Sequence, residues 1–231
     1  GKITAAITQS LPTDRLANMS ALTQGLNSQQ LAAVKHEGAP LLVVAGAGSG
    51  KTRVLTRRIA YLLAERNVAP FEVLAITFTN KAAGEMKERV AQLVGDRAKI
   101  MWVSTFHSAC VRILRREASL LGYTNSFTIY DQRDSLRLIT LVMKDLYLDA
   151  KKYDPRPVAA LISQAKNELL GPADYVNQSK DHFQEIVAQV FAIYQKRLSG
   201  ANSMDFDDLI AKTVEVMQRH PEVRAKYRSR F

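Results

Sequence analysis

The chain has 231 residues, 47% of them hydrophobic and 23% charged, with a formal net charge of +10. That composition excludes a disordered polymer, and no apolar run approaches the ~18 residues that a membrane helix requires. The only cysteine, Cys110, excludes an intrachain disulfide and a cysteine-based zinc cage, and fits a reducing, cytoplasmic setting.

Residues 1–25 lack the long apolar stretch of a signal peptide and read as a flexible leader. A short helix is expected over 28–36, with Leu31 and Val34 inward. A buried strand follows at 41–45 and feeds the run Ala45-Gly46-Ala47-Gly48-Ser49-Gly50-Lys51-Thr52. From Thr52 to Glu65 the spacing of Val54, Leu55, Ile59, Leu62 and Leu63 predicts a helix, with Arg53, Arg57, Arg58 and Arg66 off the apolar face. Val73-Leu74-Ala75-Ile76 predicts a second strand, ending at Thr77-Phe78-Thr79-Asn80. A helix over 81–93 ends at Gly95. Ile100-Met101-Trp102-Val103 predicts a third strand, ending at Ser104-Thr105-Phe106-His107. Strands alternating with helices at this spacing imply βαβ units and a parallel sheet.

The pattern then changes. From 108 to 200 nearly everything has helical period. Leu136, Ile139, Val142, Met143 and Leu146 form one stripe; Phe183, Ile186, Val187, Val190, Phe191, Tyr194 and Leu198 form another. Only Phe127-Thr128-Ile129-Tyr130 reads as extended, and Asp154-Pro155-Arg156-Pro157 reads as a break between helices. A last helix is expected over 205–220, with Phe206, Leu209, Ile210 and Met217 inward.

The run at 45–52 carries specific chemistry. Gly46, Gly48 and Gly50 free the backbone for conformations that a side chain forbids, so the loop N–H groups can converge on an anion at a helix N-terminus. Lys51 supplies a point charge for outer phosphates, and the Thr52 hydroxyl is placed to ligate Mg²⁺. The strict phosphate-loop pattern opens with Gly where this chain has Ala45. In open parallel sheets, ligands bind beyond the carboxyl ends of the strands. The 77–81 junction can hold backbone phosphates with N–H and hydroxyl groups while Phe78 stacks on a base; equally, Thr79 or Asn80 is an N-cap and Phe78 is core. His107 can donate to a phosphate or be structural. Asp205-Phe206-Asp207-Asp208 reads as N-capping with first-turn acids rather than as a metal site. Tyr153, Tyr175 and Trp102 read as packing residues. The basic excess lies mostly in the first 107 residues and suits a polyanionic partner, or else a solvated surface.

Taken in order, these segments resemble the superfamily 1A DNA helicases, the UvrD/PcrA/Rep family. The residues that carry the likeness are Leu26-Asn27-Ser28-Gln29-Gln30, the loop Ala45 to Arg53, Ala75 to Ala83, Ser104-Thr105-Phe106-His107-Ser108 and Asp205 to Ile210. Ala45 is an ordinary opening of the loop in that family. The resemblance implies a P-loop NTPase (RecA-like) α/β fold, incomplete at the C-terminus, with an inserted mostly helical subdomain. Subdomain 1A would comprise 26–107 and 204–231, and subdomain 1B 108–203. It implies ATP and Mg²⁺ as cofactors, held by Gln30, Ala45, Gly46, Ala47, Gly48, Ser49, Gly50, Lys51, Thr52 and Arg53. Gln30 would read adenine, Arg53 would lie against the base, and Lys51 and Thr52 would serve catalysis, Thr52 as the metal ligand. Phe78, Thr79, Asn80, Thr105 and His107 would line the path of single-stranded DNA, with a single-strand/duplex junction against 1B. The implied activity is 3′→5′ DNA unwinding in repair or replication. The family's acidic Asp-Glu strand would lie beyond Phe231, so this chain alone is expected to bind nucleotide and hydrolyse it poorly. The competing expectation is a non-catalytic nucleic-acid-binding module. A small P-loop phosphotransferase would leave the strand-end motifs without a purpose.

Overall fold

The computed structural model describes residues 51–66, 68–77 and 79–230, with the backbone alone over 51–54. The helix and leader expected before residue 37, and the strand expected at 41–45, lie outside the described residues. The described residues fall into two compact units: one runs up to Ala109 and resumes at Glu222, and the other is Cys110–Pro221.

Among its described residues the first unit has a two-stranded parallel sheet. Helix α1 (Lys51–Glu65) precedes β1 (Leu74–Thr77), and α2 (Asn80–Val94) crosses over to β2 (Trp102–Thr105). The register pairs Leu74 with Trp102 and Thr77 with Thr105. Parallel strands need a crossover; Ala75 and Trp102 are buried, while Ile76 is exposed. Ile59, Leu62 and Leu63 of α1 and Met86 and Val90 of α2 meet Val73, Ala75 and Met101 in one core. Helix α2 is capped by the Thr79 side chain and stopped by Gly95 at φ 91°, ψ −176°, a conformation that only glycine adopts without strain. Helix α9 (Pro221–Arg230) returns to this unit: Val223 and Tyr227 are buried, and Arg230 lies 5.7 Å over the Trp102 ring and donates to the Phe71 carbonyl.

Three expectations change here. Arg58 is buried rather than off the apolar face, because α1 is covered nearly all round: Thr56, Ile59, Ala60, Tyr61, Leu62 and Leu63 are all buried. Its alkyl stem packs, and burial pushes the guanidinium pKa down. The third strand begins at Trp102, since 96–100 form a 3₁₀ turn that leaves Ile100 exposed. Phe106 and His107 open helix α3 (Phe106–Glu117) instead of ending the strand.

The second unit is helical, as the stripes predict. Its elements after α3 are β3 (Thr128–Tyr130), α4 (Gln132–Asp145), α5 (Pro155–Asn167), α6 (Pro172–Gln178), α7 (His182–Gly200), β4 (Ser203–Asp205) and α8 (Phe206–Arg219). The two apolar stripes meet: Ile139, Val142 and Met143 of α4 pack with Val158 and Ile162 of α5 and with Ile186, Val187, Val190, Phe191, Tyr194 and Leu198 of α7. The expected break at 154–157 is the start of α5, where Asp154 caps and Pro155 sits in the first turn, its missing N–H costing no helical bond. Strand β4 was not expected. It pairs parallel with β3, Thr128 to Ser203 and Tyr130 to Asp205, and so closes the beginning of the helical stretch on its end. Arg115 of α3 lies 3.9 Å over the Phe127 ring and donates to the Asn125 and Phe127 carbonyls, fixing the turn before β3. In α8, Leu209 is buried and Ile210 and Met217 are half-buried, but Phe206 is exposed, because the adjacent aspartates rather than the ring turn inward.

Two stability outcomes follow. Leu63→Ala and Leu198→Ala each remove a fully buried side chain and are expected to cost about 2–5 kcal/mol. Hydrogen exchange should rise in the first unit for Leu63→Ala and in the second for Leu198→Ala. In α8, Glu215 is partly buried, yet Lys212 at 3.1 Å and Arg219 at 2.9 Å hold its carboxyl below the usual range. A depressed carboxyl pKa stabilises above the unfolded value and loses that effect as pH falls through the folded one. Glu215→Gln should therefore cost less than about 1 kcal/mol at pH 7, with the difference shrinking in denaturation series as pH falls below the ordinary glutamate range.

Candidate functional site

Because β1 and β2 are parallel and in register, they end side by side, Thr77 beside Thr105. β2 runs directly into α3 and α2 opens at Asn80 shortly after β1, so two helix N-termini open at this edge. Their hydroxyls form a rim. Thr77 Oγ1 donates to the Thr79 carbonyl (3.0 Å), and Thr79 Oγ1 accepts from the Ala82 N–H (3.0 Å). Thr105 Oγ1 accepts from the Ser108 N–H (3.2 Å) and donates to Ser108 Oγ (2.8 Å). Ser104 Oγ donates to the Thr105 carbonyl. Asn80, Phe106 and His107 are exposed beside them, Phe106 to 51%. The N–H groups and dipoles of α2 and α3 favour an anion here, and the exposed ring offers a stacking face.

The rim brings together Thr79, Asn80, Thr105 and His107. Thr79 also fills the N-cap role that was its alternative reading. Phe78 lies outside the described residues, as do Gln30, Ala45, Gly46, Ala47, Gly48, Ser49 and Gly50. Lys51, Thr52 and Arg53 lie in α1, and their side chains are not described.

Asp205 and Asp208 form a capping box at the start of α8: the Asp208 N–H donates to Asp205 Oδ1 (2.8 Å), and the Asp205 N–H reaches Asp208 Oδ2 (3.3 Å). Sequence reasoning missed their burial and their partner. The ammonium of Lys166, on α5, lies 2.7 Å from Asp205 and 3.2 Å from Asp208, with all three side chains nearly inaccessible. A lysine on a helix that also presents Val158, Ile162 and Ala165 to the core was the available signal. Among the described residues, no group of His, Cys, Asp and Glu is arranged to hold a metal ion, and no helix is long and apolar enough to cross a membrane.

Residues 26–231 match the family described as UvrD/REP helicase N-terminal domain. The chain belongs to the UvrD/REP helicase family. It is 56% identical over 214 residues to the ATP-dependent DNA helicase UvrD1 of Mycobacterium tuberculosis, covering 91% of this chain and 28% of that protein. It is 53% identical over 213 residues to the ATP-dependent DNA helicase PcrA of Staphylococcus aureus, covering 92% of this chain and 29% of that protein. The chain thus spans less than a third of the length of these relatives. Its α/β architecture, with parallel strands and mostly helices, agrees with a domain of this family.

The rim makes a test of its own. Thr79→Ala removes the cap of α2 and should lower stability by about 1 kcal/mol in urea denaturation, with Thr79→Ser retaining most of it.

Proposed function

We propose that this chain supplies the nucleotide loop and part of the single-strand path of an ATP-dependent 3′→5′ DNA helicase acting in repair or replication in the cytoplasm. The observation that carries the reading is the rim: two parallel strands ending together at two helix N-termini, with hydroxyls, Asn80 and an exposed aromatic ring, in a chain of this family. Residues 26–107 with 204–231 act as a RecA-like P-loop subdomain 1A, and 108–203 as the helical subdomain 1B that meets a single-strand/duplex junction. Helix α8 belongs to 1A in this scheme, although by compactness it groups with the helical unit.

The glycine-rich run before α1 suits a phosphate group, since a helix N-terminus following such a run offers N–H groups to an anion. Residues 45–50 would cradle the phosphates, Lys51 would neutralise outer phosphate charge, and the Thr52 hydroxyl would hold Mg²⁺. Gln30 and Arg53 hold the base. Bound ATP–Mg²⁺ supplies the phosphoryl group whose transfer to water drives the cycle. Thr79, Asn80, Thr105 and His107 hold the DNA backbone through hydrogen bonds, and Phe78 stacks on a base. Backbone contacts of this kind position the strand without reading its sequence.

The deciding experiment is ATP hydrolysis with and without single-stranded DNA, on this chain and on one extended to the length of its relatives. Turnover in the longer chain alone, stimulated by DNA, is the expected result. DNA binding without hydrolysis in either would replace the motor by a binding module. Asn80→Ala is expected to weaken single-strand binding about three- to tenfold in fluorescence anisotropy, and affinity should fall steeply with salt through counterion release. A flat salt response would contradict any backbone-tracking role.

A further inference from the structure

The proposed chemistry leaves one buried charge cluster without a task. The Lys166 ammonium is 4% exposed and contacts two carboxylates, Asp205 at 2.7 Å and Asp208 at 3.2 Å. Asp205 Oδ2 also accepts from the Tyr194 hydroxyl (2.7 Å), and Asp208 accepts from the Gln195 amide (3.1 Å). The ammonium lies 5.2 Å over the Tyr194 ring. Three elements therefore meet at one nitrogen: α5 brings Lys166, α7 brings Tyr194 and Gln195, and the β4–α8 junction brings both aspartates. Burial pushes the Asp208 carboxyl up and Lys166 draws it back, and the Tyr194 phenol is pushed up as well.

Desolvating three charges to hold one junction is expensive, and an apolar core of equal volume would be at least as stable. What ions add over an apolar contact is direction. Donors and acceptors here admit one arrangement of α8 relative to α5 and α7, whereas apolar side chains tolerate sliding. The junction is also a covalent bottleneck. The chain passes between the two units at Ala109–Cys110, inside α3, and at Pro221–Glu222, just after α8. Within the helical unit the two connecting helices share one core: Cys110 and Leu114 of α3 pack with Met204 and Leu209 at the start of α8. The ion cluster ties that shared core to the bundle of α4, α5 and α7. Anything that moves the bundle must move the connecting helices with it.

We infer that Lys166 is a positioning residue that couples the helical insertion to the nucleotide-loop unit by fixing the start of α8 to the bundle. The inference rests on the helicase reading above. Lys166 touches neither nucleotide nor DNA in that reading; it acts through Asp205 and Asp208.

The test is made on the full-length protein, reading DNA-stimulated ATP hydrolysis and strand separation side by side. With Lys166→Met, hydrolysis should remain within about twofold while base pairs opened per ATP fall about three- to tenfold. Asp208→Asn keeps the Lys166–Asp205 pair and should give a smaller fall of the same kind. An unchanged ratio in folded Lys166→Met overturns the inference, because a residue that serves stability alone would lower both activities together. Should Lys166→Met not fold, Asp208→Asn decides: an unchanged ratio overturns, a lowered ratio supports. Wild-type protein without DNA-stimulated hydrolysis would remove the helicase reading and this inference with it, an outcome visible before any variant is made.

Discussion

Parallel pairing of β1 with β2 is the constraint on which the first unit depends. Two strands that run the same way cannot be joined by a tight turn, so α2 must cross over between them. The crossover covers a face of the sheet and makes the core of Ile59, Leu63, Met86 and Val90. It also forces both strands to stop at the same edge, and each then starts a helix there. Thr77, Thr79, Asn80, Thr105 and His107 are therefore neighbours by topology, though separated in sequence by a whole helix. The site is a by-product of the direction of two strands.

The helical unit solves a different problem. The β3–β4 pair joins residues 128–130 to residues 203–205 within this unit with three residues on each side, and Asn202 reinforces it by exchanging two hydrogen bonds with Thr124. The chain then enters α8 through a capping box whose carboxylates are buried rather than solvated. In most helices such acids need no partner beyond backbone N–H groups and water. Here water is excluded, so a cation must be supplied from another element, and Lys166 supplies it. Local capping and long-range packing are thus one interaction.

What could be read from the chain was what repeats at short range. The stripes of α4 and α7, the cap at Thr79, the stop at Gly95 and the proline-marked start of α5 all rest on residues within a turn or two of each other. The rim was legible for the same reason: small polar residues following short apolar runs mark strand ends. What escaped depends on distant partners. Three residues of β4 carry no period, and only their pairing with 128–130 makes them a strand. Arg58 looks solvent-facing until every side of α1 is covered. Phe206 looks like a core residue until Asp205 and Asp208 turn inward on either side of it and leave the ring outside. The partner of those aspartates stands on α5, distant in sequence from the start of α8.

Gly95 carries a last implication. A β-carbon built on it would meet nothing within 4 Å, so the position has room for a side chain. What forbids an ordinary residue is backbone geometry alone, φ 91° with ψ −176°. The mirror image of that conformation is the relaxed extended state of an L-residue. A D-alanine introduced by chemical ligation would therefore rest there in its own preferred geometry, and would restrict the unfolded chain more than glycine does. The end of α2 selects for handedness and has room for a β-carbon.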